Sequence, residues 1–241
     1  MKLKITIPQT WNDLTDRQLI KVAKILTTTK PGRIQVYKIL CVLLGCRWYT
    51  FKLNAKLVVI MLDVPLSELQ NHFQYIYKNI DRTKPLDNLK IKGKVYYAPM
   101  DRLINLTASE FAAADDLHNK YLETKDLEYL QYLMAVLYKE EKPQPFDKIN
   151  LHQLAAPFKK INPYKLIAIH FFFSGCKQNI VKRFPKAFPK GAKKSKENYG
   201  FGKVILNMAK GDLSKLPNVK TTNIYTFLEV FQEDIINSKQ K

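Results

Sequence analysis

The chain has 241 residues, of which 46% are hydrophobic, so it can bury a sizeable core and is neither a disordered tail nor a fragment that needs covalent staples. Forty Lys and Arg stand against 21 Asp and Glu, a net charge of +19. That balance excludes an acidic solvating protein and favours phosphate backbones, anionic lipid or acidic partners through long-range attraction, while saying little about fold.

Lys2 to Ile7 alternate at period two, which predicts a short strand before Pro8 and stops too soon for a signal-peptide core. Thr15 with Gln18 is a capping box, and Leu19, Val22, Ala23 and Leu26 follow at helical spacing, predicting a first amphipathic helix. Pro31 and Gly32 punctuate it. Ile34 to Cys46 is apolar nearly all round and reads as a buried helix closed at Gly45. Trp48 to Leu53 alternates again, as a short strand would.

Ser67 with Gln70 is a second capping box, predicting a helix to about Asn79 with Leu69, Phe73, Ile76 and Ile80 on one face. Leu89 to Ile91 and Val95 to Tyr97 around Lys92 and Gly93 form a predicted hairpin. Thr107 with Glu110, the third box, opens a helix to about Leu122, and Asp126 opens another to Tyr138; the two read as a helical hairpin. Pro143 and Pro145 mark Lys142 to Pro145 as a linker or loop. Asn162 and Pro163 start a long apolar helix toward Lys182. A helix follows Gly200 and Gly202 as far as Lys210 and Gly211, and a last one from about Asn223 to Asn237 presents Ile224, Phe227, Leu228, Phe231 and Ile235. The expected fold is mainly α, a single helix-rich domain of about eight helices with one or two small β-hairpins. Its N-terminal region, 1–141, carries the minor strands and its basic C-terminal region, 142–241, packs with it.

The charge is uneven. Residues 142–241 carry 19 basic against 6 acidic side chains, whereas residues 1–141 carry 21 against 15. The concentration is sharpest from Lys177 to Lys196, where Lys177, Lys182, Arg183, Lys186, Lys190, Lys193, Lys194 and Lys196 meet no acid and are interrupted by Phe184, Pro185, Phe188, Pro189 and Gly191. These eight are the candidate site, for a polyanion or an acidic protein surface. Lys and Phe interleaved with Pro would suit phosphate contacts with some ring stacking on single strands. Arg183 is the only arginine of this stretch, so no base-reading pattern is present and binding would be nonspecific and salt-dependent. The plain alternative is a solvated loop that keeps the protein soluble. The opposite sign gathers at Glu110, Asp115, Asp116, Glu123, Asp126 and Glu128, and the two stretches could meet within a protomer or between neighbours.

No catalytic constellation stands out. His72, His118, His152 and His170 are scattered through different elements with no ligand spacing, so neither a metal nor a cofactor is expected. Cys41, Cys46 and Cys176 are odd in number, in apolar surroundings, and read as reduced core thiols of a cytosolic protein. Six residues separate His170 from Cys176, which points them to different sides of a helix, and adjacent Asp115 and Asp116 diverge by about 100°, the pattern of a solvated face. The longest apolar run, Leu166 to Phe173, is far below the roughly 20 residues that span a bilayer.

Two segments carry a resemblance. Ile7, Pro8, Gln9, Thr10, Trp11, Asn12, Asp13, Leu14 and Thr15 with Arg17, Gln18 and Leu19 resemble the start of uncharacterised proteins encoded in tailed phages and prophages of Bacteroidetes. Lys182 to Pro185 with Phe188, then Ala209 to Ser214, are similar to their second half. The genes of such proteins tend to lie in structural and tail modules, which implies a virion component or an assembly factor, located in the virion or the host cytoplasm. Tail assembly chaperones are often acidic and this chain is not, so the resemblance leans toward a structural or connector role. The expected function is therefore non-enzymatic: contacts with other phage structural proteins, with copies of itself, or with DNA. The alternative is a nonspecific nucleic-acid-binding accessory protein of a phage or mobile element.

Overall fold

The computed structural model describes residues 7–45, 64–141, 150–188, 200–209 and 212–238. The strands expected at 2–7 and 48–53, the linker at 142–145, Cys46, Lys190, Lys193, Lys194, Lys196, Lys210 and Gly211 lie, Ile7 excepted, outside the described residues. What is described is mainly helical, with ten α-helices and one antiparallel pair of strands. All eight expected helices are among the ten.

Helix α1 (Asp16–Thr28) starts where its sequence said it would. The Thr15 hydroxyl accepts the Gln18 amide at 3.3 Å and the Gln18 side chain returns to accept the Thr15 amide at 3.0 Å, and Leu19, Val22 and Ala23 turn inward. Gly32, at φ 148°, supplies a turn that a side chain would strain, and α2 (Arg33–Leu43) follows. Only one face of α2 is covered. Val36, Ile39, Leu40 and Leu43 are buried, while Ile34 is 67% exposed, which corrects the all-round burial expected from its apolar sequence.

Helix α3 (Leu66–Asn71) departs furthest from expectation. Pro65 takes the N-cap position, so the helix begins before Ser67, no side-chain cap forms, and the chain breaks at Phe73 (φ −136°) into a 3₁₀ turn, Gln74–Tyr77. Leu69, Phe73 and Ile76 are nevertheless buried, because the turn carries on the inward face. Strands β1 (Leu89–Ile91) and β2 (Lys94–Tyr96) pair across Lys92 (φ 47°) and Gly93 (φ 80°), the two positive φ angles of a tight hairpin turn. Tyr97 then bridges Lys139, tying β2 to the end of a distant helix.

Helix α4 (Ala108–Thr124) opens with the Thr107–Glu110 box, ends at left-handed Lys125, and pairs closely with α5 (Glu128–Leu137) as a helical hairpin. Two short helices escaped the periodicity argument: α6 (Leu151–Ala155), which runs into a 3₁₀ turn at Pro157, and α9 (Leu216–Thr221), which contains Pro217 and buries nothing. Five or six residues are too few to display a 3.6-residue period.

Helix α7 (Pro163–Arg183) is the axis of the core, capped by the Asn162 side chain on the Tyr164 amide and packed against α1 and α5. Helices α8 (Gly200–Met208) and α10 (Ile224–Ser238) close over α4. Backbone bonds from Ala108 N to Thr222 O (2.8 Å) and from Ile224 N to Leu106 O (2.9 Å) hold the starts of α4 and α10 together. Residues from 7–141 and from 150–238 thus share one apolar interior.

The first resemblance segment has a structural task. Trp11 is fully buried and its indole donates to Tyr75 O at 3.1 Å, and the Asn12 side chain accepts the amides of Thr83 and Lys84 at 2.9 and 3.0 Å. Arg82, also fully buried, donates through Nη1 to Trp11 O (2.8 Å) and Leu14 O (3.0 Å). Gly175 of α7 faces the Arg82 backbone, and a β-carbon there would lie 2.2 Å from the Arg82 carbonyl oxygen.

Candidate functional site

The rim is assembled at the C-terminal end of α7, where the last helical turn carries Lys182 and Arg183 and the chain then turns through Pro185 to Phe188. The structure separates the described members of the sequence-derived set. Lys177 lies two turns earlier, half-buried; its amine pairs with Asp115 and donates to the Asn119 side chain at 3.1 Å. The acidic and basic stretches therefore do meet within one protomer, and Asp115, with its side chain only 16% exposed, is not on the solvated face expected for it.

Arg183 is exposed and held from three sides. Its guanidinium lies over the Tyr225 ring at 5.1 Å and the Phe184 ring at 5.5 Å, and Nη2 reaches Glu229 Oε1 at 3.3 Å. Such stacking restricts a side chain that is otherwise rich in rotamers. The Lys186 amide donates to the Gln232 side chain at 3.2 Å, which fixes the turn after α7 against α10. Lys182 and Lys186 are exposed, and neither ammonium has an ion-pair partner among the described residues.

The sequence pattern did not reveal Tyr225, Glu229 or Arg102 as neighbours of the rim. The Tyr225 hydroxyl donates to Arg102 O at 2.7 Å, and both Arg102 and Arg183 act electrostatically on its phenol. Arg102 (φ 56°) and Leu103 (φ 61°) are consecutive left-handed residues with side chains, a sparsely populated geometry. Burial is the main cause that raises the Tyr225 pKa. Tyr225 and Glu229, four apart on α10, form one face, a signal that was legible; nothing in the sequence places Arg102 beside them.

The stacking role expected of the phenylalanines is closed to Phe184, and Phe188 is half-buried with one face already taken. Phe184 is 2% exposed and edges against Tyr225, while Phe188 stacks on Phe201 with centroids 6.2 Å apart. Their spacing between lysines reflects core packing under a charged surface.

Compared with known proteins, the chain matches no family model, no curated protein and no solved structure.

Two other places gather polar groups. A groove of about 630 Å³ beside the β-hairpin is lined by Tyr96, Tyr138 and Phe158, and its two carboxylates are each engaged by a lysine: Glu110 with Lys139 at 2.6 Å and Glu140 with Lys94 at 3.0 Å. The histidines expected to be scattered include a contacting pair. His118 of α4 and His170 of α7 stack with centroids 4.9 Å apart, beside Tyr121 and Phe173. Among the described residues, neither His118 nitrogen nor His170 Nδ1 has a partner in hydrogen-bonding geometry. Burial, then the charges of Lys177 and Lys125, pushes His118 down to about 4; burial, then His118 and Lys125, pushes His170 down to about 3.

Cys176 is fully buried, its thiol donating to Thr83 O at 3.6 Å, and burial raises its pKa; it forms no disulfide among the described residues. Among the described residues no three His, Cys, Asp or Glu side chains are grouped to hold a metal ion, and no helix is long and apolar enough to cross a membrane.

Proposed function

We propose that this chain is a non-enzymatic structural or assembly protein of a tailed bacteriophage, of the tail or connector module, working by contacts in the virion or the host cytoplasm. Its helical body presents a cationic rim at the end of α7 to an anionic neighbour, either an acidic surface of another phage structural protein or packaged DNA, and copies of the chain associate with one another. The observation that carries this reading is that Lys182 and Lys186 keep exposed ammonium groups, unpaired among the described residues, at a helix end pinned in place by the Arg183–Tyr225–Glu229 contacts. A net charge of +19, concentrated in residues 142–241, supports it by extending the attraction beyond contact distance. So does the resemblance of Ile7 to Thr15 with Arg17, Gln18 and Leu19, and of Lys182 to Pro185 with Phe188 and Ala209 to Ser214, to phage proteins.

Size-exclusion chromatography with light scattering, at low and high salt and with candidate phage structural proteins added, tests the reading. Salt-sensitive self-association or complex formation supports it. A strict monomer that binds no phage protein at any salt argues against it.

The second reading, a nonspecific nucleic-acid-binding accessory protein of a phage or mobile element, draws on the same solvent-facing lysines. Electrophoretic mobility of DNA separates the two, since an accessory protein retards DNA at physiological salt without any phage protein.

A further inference from the structure

We propose that the end of α7 around Arg183 contacts the phosphate backbone of double-stranded nucleic acid, and that Glu229 competes with that backbone for the Arg183 guanidinium. This rests on the reading of the rim as an anion-docking surface and names the anion and its internal rival.

The rings decide the class of ligand. Proteins that grip single strands stack bases on exposed aromatic side chains. Here Phe184 is 2% exposed, Tyr225 is 9% exposed with its hydroxyl bonded to Arg102 O, and Phe188 stacks on Phe201. Phe184 and Tyr225 face inward, and Phe188 is half-buried with one face taken by Phe201. A protein partner is disfavoured because interface energies concentrate in aromatic and arginine anchors that enter a partner's pockets, and Arg183, the one described anchor of that kind here, is already stacked on Tyr225 and Phe184 of its own chain. Among the described residues of α7 and the turn after it, what stands outside is charge: Lys182, Lys186 and the fork of Arg183, whose side chain is 58% exposed. Lysine point charges and one forked guanidinium are the groups that hold backbone phosphates without reading bases.

The contact with Glu229 explains how the fork is kept ready and kept in check. Tyr225 and Phe184 orient the guanidinium, while Glu229 Oε1 meets Nη2 at 3.3 Å in a pair exposed on both sides, 58% and 54%. Exposed pairs of this kind are weak. A phosphate can accept two parallel N–H bonds from the fork, which a single long contact to Glu229 does not match, so the backbone displaces the carboxylate. Because Gln232 ties the Lys186 amide to the same face of α10, Lys186 stays beside the exchange.

Fluorescence anisotropy with the full chain tests this, using a short labelled duplex, its single strand and polyglutamate over a range of salt concentrations. The expected result is tighter binding to the duplex than to polyglutamate and no preference for the single strand. Glu229→Gln is expected to tighten duplex binding about two- to five-fold. Glu233→Gln removes the same charge one turn along α10 without touching Arg183 and is expected to do less. Arg183→Gln weakens binding and cancels the gain from Glu229→Gln in the double variant, and Lys182→Gln weakens it without disturbing any packed ring. Equal effects of Glu229→Gln and Glu233→Gln overturn the competition, and tighter binding to the single strand or to polyglutamate overturns the duplex assignment; in both cases anion docking still stands. Failure to bind any of the three probes overturns anion docking as well.

Discussion

Arg82 has no exposure to solvent, yet its guanidinium is not surrounded by carboxylates; its two terminal nitrogens donate to the carbonyls of Trp11, Leu14 and Pro85, with Asp16 at 3.6 Å. Burial lowers its pKa and the Asp16 charge opposes that shift. The arrangement lets one side chain close the entry of the chain against α7, and it depends on Gly175, the one position on α7 where the Arg82 backbone can come so near. Gly175→Ala is expected to cost roughly 3 kcal/mol in a denaturant melt, since the added carbon meets backbone that cannot swing aside; a change below about 1 kcal/mol would mean that the two segments separate freely. The stacked histidines give a second prediction. Their pKa values are lower in the folded chain, about 4 and about 3, than the ordinary 6.5, so between these limits the unfolded chain binds more protons. Stability from keeping them neutral is therefore complete above about pH 6.5 and is lost as pH falls through about 4, on the order of 3 kcal/mol for His118. His118→Leu flattens that acid limb in melts recorded between those pH values, and an unchanged slope would assign acid sensitivity to other groups.

At the scale of elements, capping explains which starts were legible. Thr15 and Thr107 each close a reciprocal box, but the equivalent pair Ser67 and Gln70 does not, because Pro65 begins α3 earlier and moves Ser67 inside the first turn. The spacing of the residues was the same; what differed was the proline two positions before. Glu110 does more than its spacing announced. One carboxylate oxygen accepts the Thr107 amide at 3.0 Å and the other takes the Lys139 amine at 2.6 Å, so the cap of α4 also anchors the chain that bridges to Tyr97. Thr107→Ala is expected to lower stability by about 1 kcal/mol, the usual worth of such a cap. The same substitution at Ser67 is expected to change the melt by less than about 0.5 kcal/mol, because its hydroxyl caps no helix. A loss at Ser67 matching that at Thr107 would contradict the assignment of Pro65 as the cap.

For the whole molecule, helix class and hairpin were legible because both depend on near neighbours: the 3.6-residue period of α1, α5 and α10, and the Lys92–Gly93 turn. The site was legible only as a density of charge. Which lysines remain free depends on contacts far apart in sequence: Asp115 removes Lys177 from the rim and Glu229 holds Arg183, while of the rings read as ligands for bases Phe184 fills the interior and Phe188 packs against it. No periodicity encodes a pairing over such a separation. The central claim is that a helical body docks electrostatically through the cationic residues at and after the end of α7. Its most direct test is the salt dependence of binding to a labelled duplex, compared between the native chain and one with Lys182, Lys186, Lys190, Lys193, Lys194 and Lys196 replaced by Gln. The account predicts a steep fall of affinity with salt for the native chain and a much shallower, weaker dependence for the neutralised one, since each lost phosphate contact removes about 0.9 from the logarithmic slope. Equal affinities and equal slopes for the two chains would contradict it.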